Sequence, residues 1–477
     1  MEAQGKRVVF LNFAATGHIN PTLPLVAEFT ARGWHATYLV EDTMRSVVEA
    51  AGARWMPFRN PDDDFTGIPK KLTESGVAKY VPEGTPREEY MDVPSCMVYI
   101  VELLLPALIE DLLNLKPRPS LIVYDPFLGC GPVLSRVLGV PAVTVLTMPG
   151  PGVLSKPDEV VDMWEAKPWV EGPRQEVLAK YGVDVLKNGM QMEFYSSTLN
   201  LVTTINEFFT PPCAGRQQER FGFFPFRCVG VLANPKVKRI QNAHVAEDDT
   251  EPLDFGELDS AIKSGRSLVY ISLGTVASSE HFWERAFGHF GKRNGLEECT
   301  GKVLTQHVFR CCIEGLGDES ENAPLVVLSL GPQEDVLEGL PPTPSNFRLR
   351  KAVPQLEVLR RCSAFITHCG ANSMHEALSL SAPMVAVPIF GDQPSNADRL
   401  RDEGVAIAFH QPMESVTSTS IRAAVDQLTR VGAEENTFKA AARKLAKKLE
   451  ASKSISTAVD ALTEVCLPDR HVAAAGA

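Results

Sequence analysis

Short apolar runs alternate with helical stretches twice along this chain, and that alternation restricts the fold more than any other feature. Lys6-Arg-Val-Val-Phe-Leu-Asn-Phe13 reads as a strand, Pro21 to Arg32 as a helix closed by Gly33, and Trp34-His-Ala-Thr-Tyr-Leu-Val40 as the next strand. A helix from Thr43 to Ala51 follows. Leu121-Ile-Val-Tyr-Asp125 and Ala142-Val-Thr-Val-Leu146 continue the series around a helix containing Val133 to Leu138. The pattern restarts at Leu268-Val-Tyr-Ile-Ser-Leu273 and runs through Leu325 to Leu330, Ala364-Phe-Ile-Thr367 and Met384 to Ile389. Runs that are apolar throughout and partly β-branched are buried on both faces, so each series predicts a parallel sheet covered by helices. The fold class expected is α/β with two Rossmann-like domains.

Composition excludes several roles. The 477 residues carry a net charge of −12, which argues against nucleic acid or an anionic membrane as partner. The ten cysteines form no C-x-x-C pair, and adjacent Cys311 and Cys312 lack the geometry for a mutual disulfide. Free thiols in a reducing compartment are expected, with no N-x-S/T sequon to suggest secretion. The most apolar segment, Met97 to Leu115, is broken by Glu102, Pro106, Glu110 and Asp111, so it reads as a buried or amphipathic helix without a transmembrane anchor. A cytoplasmic monomer is expected. Irregular segments at Pro57–Pro94 and Pro149–Met192 are where ligand-specific loops are expected. Asn234 to Ser264 reads as the approach to a linker.

Polar residues gather where strands end. After Ala364–Thr367 comes His368-Cys-Gly-Ala-Asn-Ser-Met-His-Glu376, a tight turn opening a helix. A helix N-terminus presents unpaired N–H groups and partial positive charge, so a phosphate is its natural ligand. A competing reading makes Ser373 and Glu376 a capping box that binds nothing. Asp392-Gln393 follows the next strand, and a carboxylate beside an amide suits a hydroxylated group. His18, in Thr16-Gly-His18-Ile-Asn-Pro21, and Asp125 each follow a strand, where ligands bind in open α/β sheets. Alone, each reads as a structural loop residue; together they make a base and its orienter, with a nearby helix N-terminus keeping the ring neutral. Two signals are weak. Asp62-Asp63-Asp64 reads as an acidic loop rather than a metal site, and Gly129-Cys-Gly131 lacks the third glycine of a dinucleotide fingerprint.

The stretch from Leu349 to Ala397 resembles the C-terminal signature of the family 1 nucleotide-sugar glycosyltransferases. The matching elements include Val353-Pro354-Gln355, Phe365-Ile-Thr-His-Cys-Gly370, Asn372-Ser373, Glu376-Ala-Leu378, Asp392-Gln393 and Asn396-Ala397. The resemblance implies a GT-B fold of two facing domains and an inverting, metal-independent transfer of a hexose, with glucose expected, from a UDP-sugar to a hydrophobic hydroxylated small molecule. It implies no cofactor beyond the UDP-sugar co-substrate. His18 would be the base, oriented by Asp125. Gly17, Thr275, Val353, Gln355, His368, Gly370, Asn372, Ser373, Glu376, Asp392 and Gln393 would bind the donor. The domains implied are 1–235 for acceptor, 236–265 as linker, 266–445 for donor, and 446–477 returning to the first domain. The sequence departs from the family at Ala352, where many relatives have an aromatic that stacks on the base, and at Ser381, where a glycine is usual. A nucleotide-sugar epimerase on the same fold and a non-catalytic nucleotide-sugar-binding protein remain as alternatives.

Overall fold

In a computed structural model of the chain, which describes residues 5–59, 77–90, 93–242, 245, 251–430, 436–452 and 454–467, the apolar runs form two wholly parallel sheets. The chain divides into two compact units, Met1–Arg239 with Ser452–Ala477, and Ile240–Ala451.

Unit 1 is built on β1 (Arg7–Leu11), β2 (His35–Leu39), β3 (Arg54–Met56), β4 (Leu121–Tyr124) and β5 (Ala142–Leu146). A two-stranded antiparallel hairpin of β6 (Gly189–Met190) and β7 (Glu193–Phe194) stands apart, followed by β8 (Asn200–Val202) and β9 (Phe226–Cys228). The large sheet runs β3-β2-β1-β4-β5-β8-β9. Val9, Leu11, Ile122 and Tyr124 on one face pack with the Val93–Asn114 helix in a single core. Burying each such side chain stabilises the fold by roughly 1.5–3 kcal/mol.

Unit 2 contains β10 (Leu268–Ser272), β11 (Leu325–Ser329), β12 (Phe347–Arg350), β13 (Ala364–Thr367), β14 (Met384–Ala386) and β15 (Ala406–Ala408), ordered β12-β11-β10-β13-β14-β15. In both sheets the strand order reverses beside the first strand of the unit, between β1 and β4 and between β10 and β13. Loops leaving the carboxyl ends of those two strands diverge, which opens a crevice for a ligand.

The expected linker at 236–265 is corrected in part. Phe255–Lys263 is a helix of unit 2, capped by Asp254, whose side chain accepts the Gly256 and Glu257 N–H groups. It buries Leu258 and Ala261 beside partly buried Phe255 and Ile262, an apolar stripe at helical spacing, and it is also fastened by ion pairs from Arg348 to Glu257 and Arg361 to Asp259. The expected boundary at 445/446 falls inside the Thr437–Ala451 helix, with which unit 2 ends. In the returning segment, the Ser454–Glu464 helix buries Ala458, Val459, Ala461 and Leu462, and Arg32 at the end of the Leu23–Ala31 helix meets Asp460 at 2.5 Å. Asp62-Asp63-Asp64 lies outside the described residues. All ten cysteines are free, and no helix among the described residues is long and apolar enough to cross a membrane.

Candidate functional site

At the switch point of unit 1, β1 and β4 pair in register with Leu11 opposite Tyr124. The chain beyond β4 is pinned at once, because the Asp125 N–H donates to the Leu11 carbonyl at 2.8 Å. The Asp125 side chain is fully buried; Oδ1 accepts the Phe127 N–H at 2.9 Å, and Oδ2 lies 2.6 Å from His18 Nδ1. His18 retains 18% of its side-chain exposure, and its ring lies 4.8 Å from Phe127 and 5.5 Å from Phe13. Two apolar rings and a fixed carboxylate thus leave the imidazole little freedom.

His18 lies inside the first turn of the short Thr16–Ile19 helix, and the carboxylate of Asp125 is its charged neighbour. With Nδ1–H donating to Asp125, the basic lone pair lies on Nε2. Gly17, expected to serve the donor, belongs to this unit and precedes His18 in the same turn. Sequence reasoning missed Asn12, just past β1, which donates its amide to the His18 carbonyl at 2.9 Å. Its own Oδ1 is buried without a hydrogen-bond partner. The signal was available: an asparagine one step past a buried strand faces the same turn.

At the switch point of unit 2, Ser272 pairs with Thr367, so the turns Leu273-Gly-Thr275 and His368-Cys-Gly370 start side by side. A Cβ on Gly274 would stand 2.5 Å from His368 Cε1, and one on Gly370 would stand 2.5 Å from Nε2. The imidazole therefore fits between two glycines that no other residue can replace without displacing it. Burial pushes the His368 pKa down to about 4, which keeps the ring neutral, and Nδ1 is buried without a hydrogen-bond partner. Cys369 takes a left-handed conformation at φ +61°. Two bonds hold it there, its N–H to Thr367 Oγ1 at 3.2 Å and its carbonyl from Asn396 Nδ2 at 2.8 Å.

The Ala371–Ser379 helix begins with Gly370 as N-cap and no side-chain cap. Ser373 thus lies inside the first turn, and the capping-box reading falls. Glu376, 4% exposed, instead accepts Gln355 Nε2 at 2.8 Å, while Gln355 Oε1 accepts from the Tyr270 hydroxyl at 3.2 Å. Gln355 Nε2 also approaches Ser373 Oγ at 3.4 Å. Asp392 Oδ2 accepts the Ala371 N–H at 3.1 Å and Asn396 Nδ2 at 2.6 Å. The helix's first donor is thus spent on a carboxylate, and Asn372 and Ser373 follow it in the first turn.

Gln393 Oε1 accepts the Ile389 and Phe390 N–H groups at 2.9 and 3.2 Å, so only its amide nitrogen remains for a ligand. Thr275 is partly exposed in the loop after β10. Val353, 4% exposed, lies just ahead of the Gln355–Leu359 helix. Ala352, at the place of the family's aromatic, is 5% exposed. Ser381, where the family has glycine, adopts φ +60°. Among the described residues no cluster of three metal-ligating side chains occurs.

The model of the family described as UDP-glucoronosyl and UDP-glucosyl transferase matches residues 336–448, which include β13 and the turn and helix after it. The chain is 27% identical over 427 residues to NDP-glycosyltransferase YjiC of Bacillus licheniformis, covering 88% of this chain and 89% of that protein. It is 25% identical to the oleandomycin glycosyltransferase of Streptomyces antibioticus over 84% of this chain and 78% of that one. The solved glycotransferase of kitacinnamycin superposes with a TM-score of 0.65 at 19% identity, over 98% of this chain and all 100% of that one.

Proposed function

We propose that the chain is a nucleotide-sugar glycosyltransferase of the GT-B fold and that it moves glucose from UDP-glucose to a hydroxyl of a hydrophobic small molecule with inversion. The observation that carries the reading is the 2.6 Å contact between His18 Nδ1 and the buried Asp125 carboxylate. Asp125 fixes the ring tautomer and stabilises the imidazolium as it forms. His18 Nε2 takes the acceptor proton while the hydroxyl oxygen bonds to the anomeric carbon. The bond from that carbon to the β-phosphate oxygen breaks, and its electron pair leaves with UDP.

Base catalysis of this kind contributes about 10²–10⁴-fold, and the remainder comes from orientation and from stabilising the leaving pyrophosphate. Thr275, His368, Gly370, Asn372 and Ser373 are assigned to the phosphates. Glu376, aligned by Gln355, is assigned to the ribose hydroxyls, and the Val353 main chain with Gln355 to the base. Asp392 and the Gln393 amide nitrogen are assigned to the sugar. Neutral His368 suits a phosphate contact as an N–H donor, since Nε2–H is the tautomer that leaves Nδ1 unprotonated in its buried, partnerless place. Ten free thiols support a cytoplasmic setting.

The test is UDP-glucose turnover with a panel of hydroxylated hydrophobic acceptors, comparing wild type with His18→Ala. Acceptor-dependent UDP release in wild type, lost by about 10²–10⁴-fold in the variant, is the expected outcome. Free epimerised sugar without acceptor would support an epimerase. UDP-glucose binding with no turnover would support a binding protein. Undiminished transfer by His18→Ala would remove His18 from the mechanism.

A further inference from the structure

The loop that carries Asp392 and Gln393 is held from outside by a residue that belongs to no part of the site described so far. Asn294 ends the 3₁₀ segment Gly288–Asn294 and is 1% exposed. Its Nδ2 donates to the carbonyls of both Pro388 and Ile389, at 3.0 and 3.2 Å. The amide orientation is settled by chemistry, because only the nitrogen can face two carbonyls. On the other side of the same peptides, Gln393 Oε1 holds the Ile389 and Phe390 N–H groups. The two amides thus clamp consecutive peptide planes from opposite sides, and the turn through Gly391 at φ +63° delivers Asp392 to the Ala371 helix.

Asn294 is itself braced. Its Oδ1 faces His410 Nδ1 at 3.4 Å, and His410 Nε2 meets Asp398 Oδ1 at 2.9 Å. Asp398 lies in the Gln393–Asp402 helix and also pairs with Arg293 at 2.9 Å and Arg401 at 3.0 Å. One connected network therefore joins the Gly288–Asn294 segment, the helix that Gln393 begins, and the loop between them.

We propose that Asn294 is a positioning residue for the sugar half of the donor: by holding the Pro388 and Ile389 carbonyls, it fixes where Asp392 and the Gln393 amide meet the hexose hydroxyls. This rests on the reading of unit 2 as the donor site. Asn294→Asp is nearly isosteric and cannot donate, so it leaves two buried carbonyls facing a carboxylate. Calorimetric titration with UDP-glucose and with UDP separates sugar from nucleotide. The Kd for UDP-glucose is expected to rise about tenfold, the factor of one lost buried hydrogen bond, while that for UDP stays within about twofold. Asn294→Ser keeps one donor in less volume and is expected between Asn294→Asp and wild type, with kcat less affected than KM.

Equal losses for UDP and UDP-glucose, or unchanged UDP-glucose affinity in a folded Asn294→Asp protein, overturn the proposal and leave the donor site intact. A serine variant weaker than the aspartate variant overturns it as well. Wild type that binds neither ligand overturns the donor-site reading beneath it.

Discussion

His18 and His368 each stand at the switch point of their unit, His18 after β1 and His368 after β13, and they are chemically opposite. His18 lies against a carboxylate and keeps part of its exposure. His368 lies between two glycines, with its pKa pushed down to about 4 and Nδ1 unpartnered. An imidazole beside a buried anion can gain a proton during reaction without a large desolvation penalty. One held among backbone atoms can only donate or accept a hydrogen bond as a neutral ring. The two crevices thus hold one imidazole against a carboxylate and the other as a neutral ring among backbone atoms. Topology locates a site; the residue packed behind the histidine decides its chemistry.

The contrast breaks most readily at Asp125. Asp125→Asn either keeps the acceptor for the Phe127 N–H and turns its amide nitrogen to Nδ1, or offers Nδ1 an uncharged oxygen and loses that acceptor. Transfer is expected to fall by about 10²–10⁴-fold with UDP affinity unchanged, measured by initial rates and calorimetry. A fall of less than about tenfold would make the pair structural. The matching break in unit 2 is Gly274→Ala, where the new Cβ meets His368 at 2.5 Å and the backbone sits at φ +77°. Displacing the ring is expected to weaken UDP binding by about tenfold or more and to destabilise the protein by about 1–3 kcal/mol. Unaltered UDP affinity at a lowered Tm would show that His368 does not touch the nucleotide.

A smaller effect sharpens the comparison through pH. Buried His375 of unit 2, 2% exposed, has its pKa pushed down to about 4 by burial. The unfolded chain binds its proton below about pH 6.5 while the folded chain does not, so stability is lost as pH falls from about 6.5 towards 4. Glu193 of unit 1, 3% exposed, behaves in the opposite sense. Burial raises its carboxyl to about 8 against hydrogen bonds from Tyr195 and Gln217 that favour the anion. Folded protein holds that proton and unfolded protein does not, so stability is lost as pH rises from about 4.5 to 8. Each group contributes on the order of a few kcal/mol. Glu193→Gln is expected to flatten the alkaline decline of Tm and His375→Asn the acid one; identical profiles for wild type and both variants would remove these groups as the cause.

Much of this was legible beforehand, for identifiable reasons. Ala364–Thr367 reads as a strand because every residue is buried, and the structure gives it those limits. His18 and Asp125 were found because strand ends are visible as the last apolar residue before a turn. The Phe255–Lys263 helix was overlooked although Phe255, Leu258, Ala261 and Ile262 recur at helical spacing, because that stripe is short and follows a stretch broken by Pro252 and acidic residues. The partners that aim the site side chains leave no periodic trace. Gln355 on Glu376 and Asn294 on Pro388 and Ile389 join segments distant in sequence, and Gln393 on Ile389 is a turn bond that the residue types alone do not specify. Ala352 and Ser381 were visible as departures, but the left-handed backbone at Ser381 appears only in the fold.

The returning segment has a consequence for biosynthesis. Unit 2 occupies one unbroken stretch, Ile240–Ala451, whereas unit 1 is split around it. A ribosome delivers the chain at roughly 5–20 residues per second. Unit 2 can therefore close as soon as its last helix has emerged, while unit 1, begun first, waits for the Ser454–Glu464 helix to cover the Leu23–Ala31 helix. A nascent protein shortened at Ala451 would retain all of unit 2 and expose the apolar side of the very unit that carries His18.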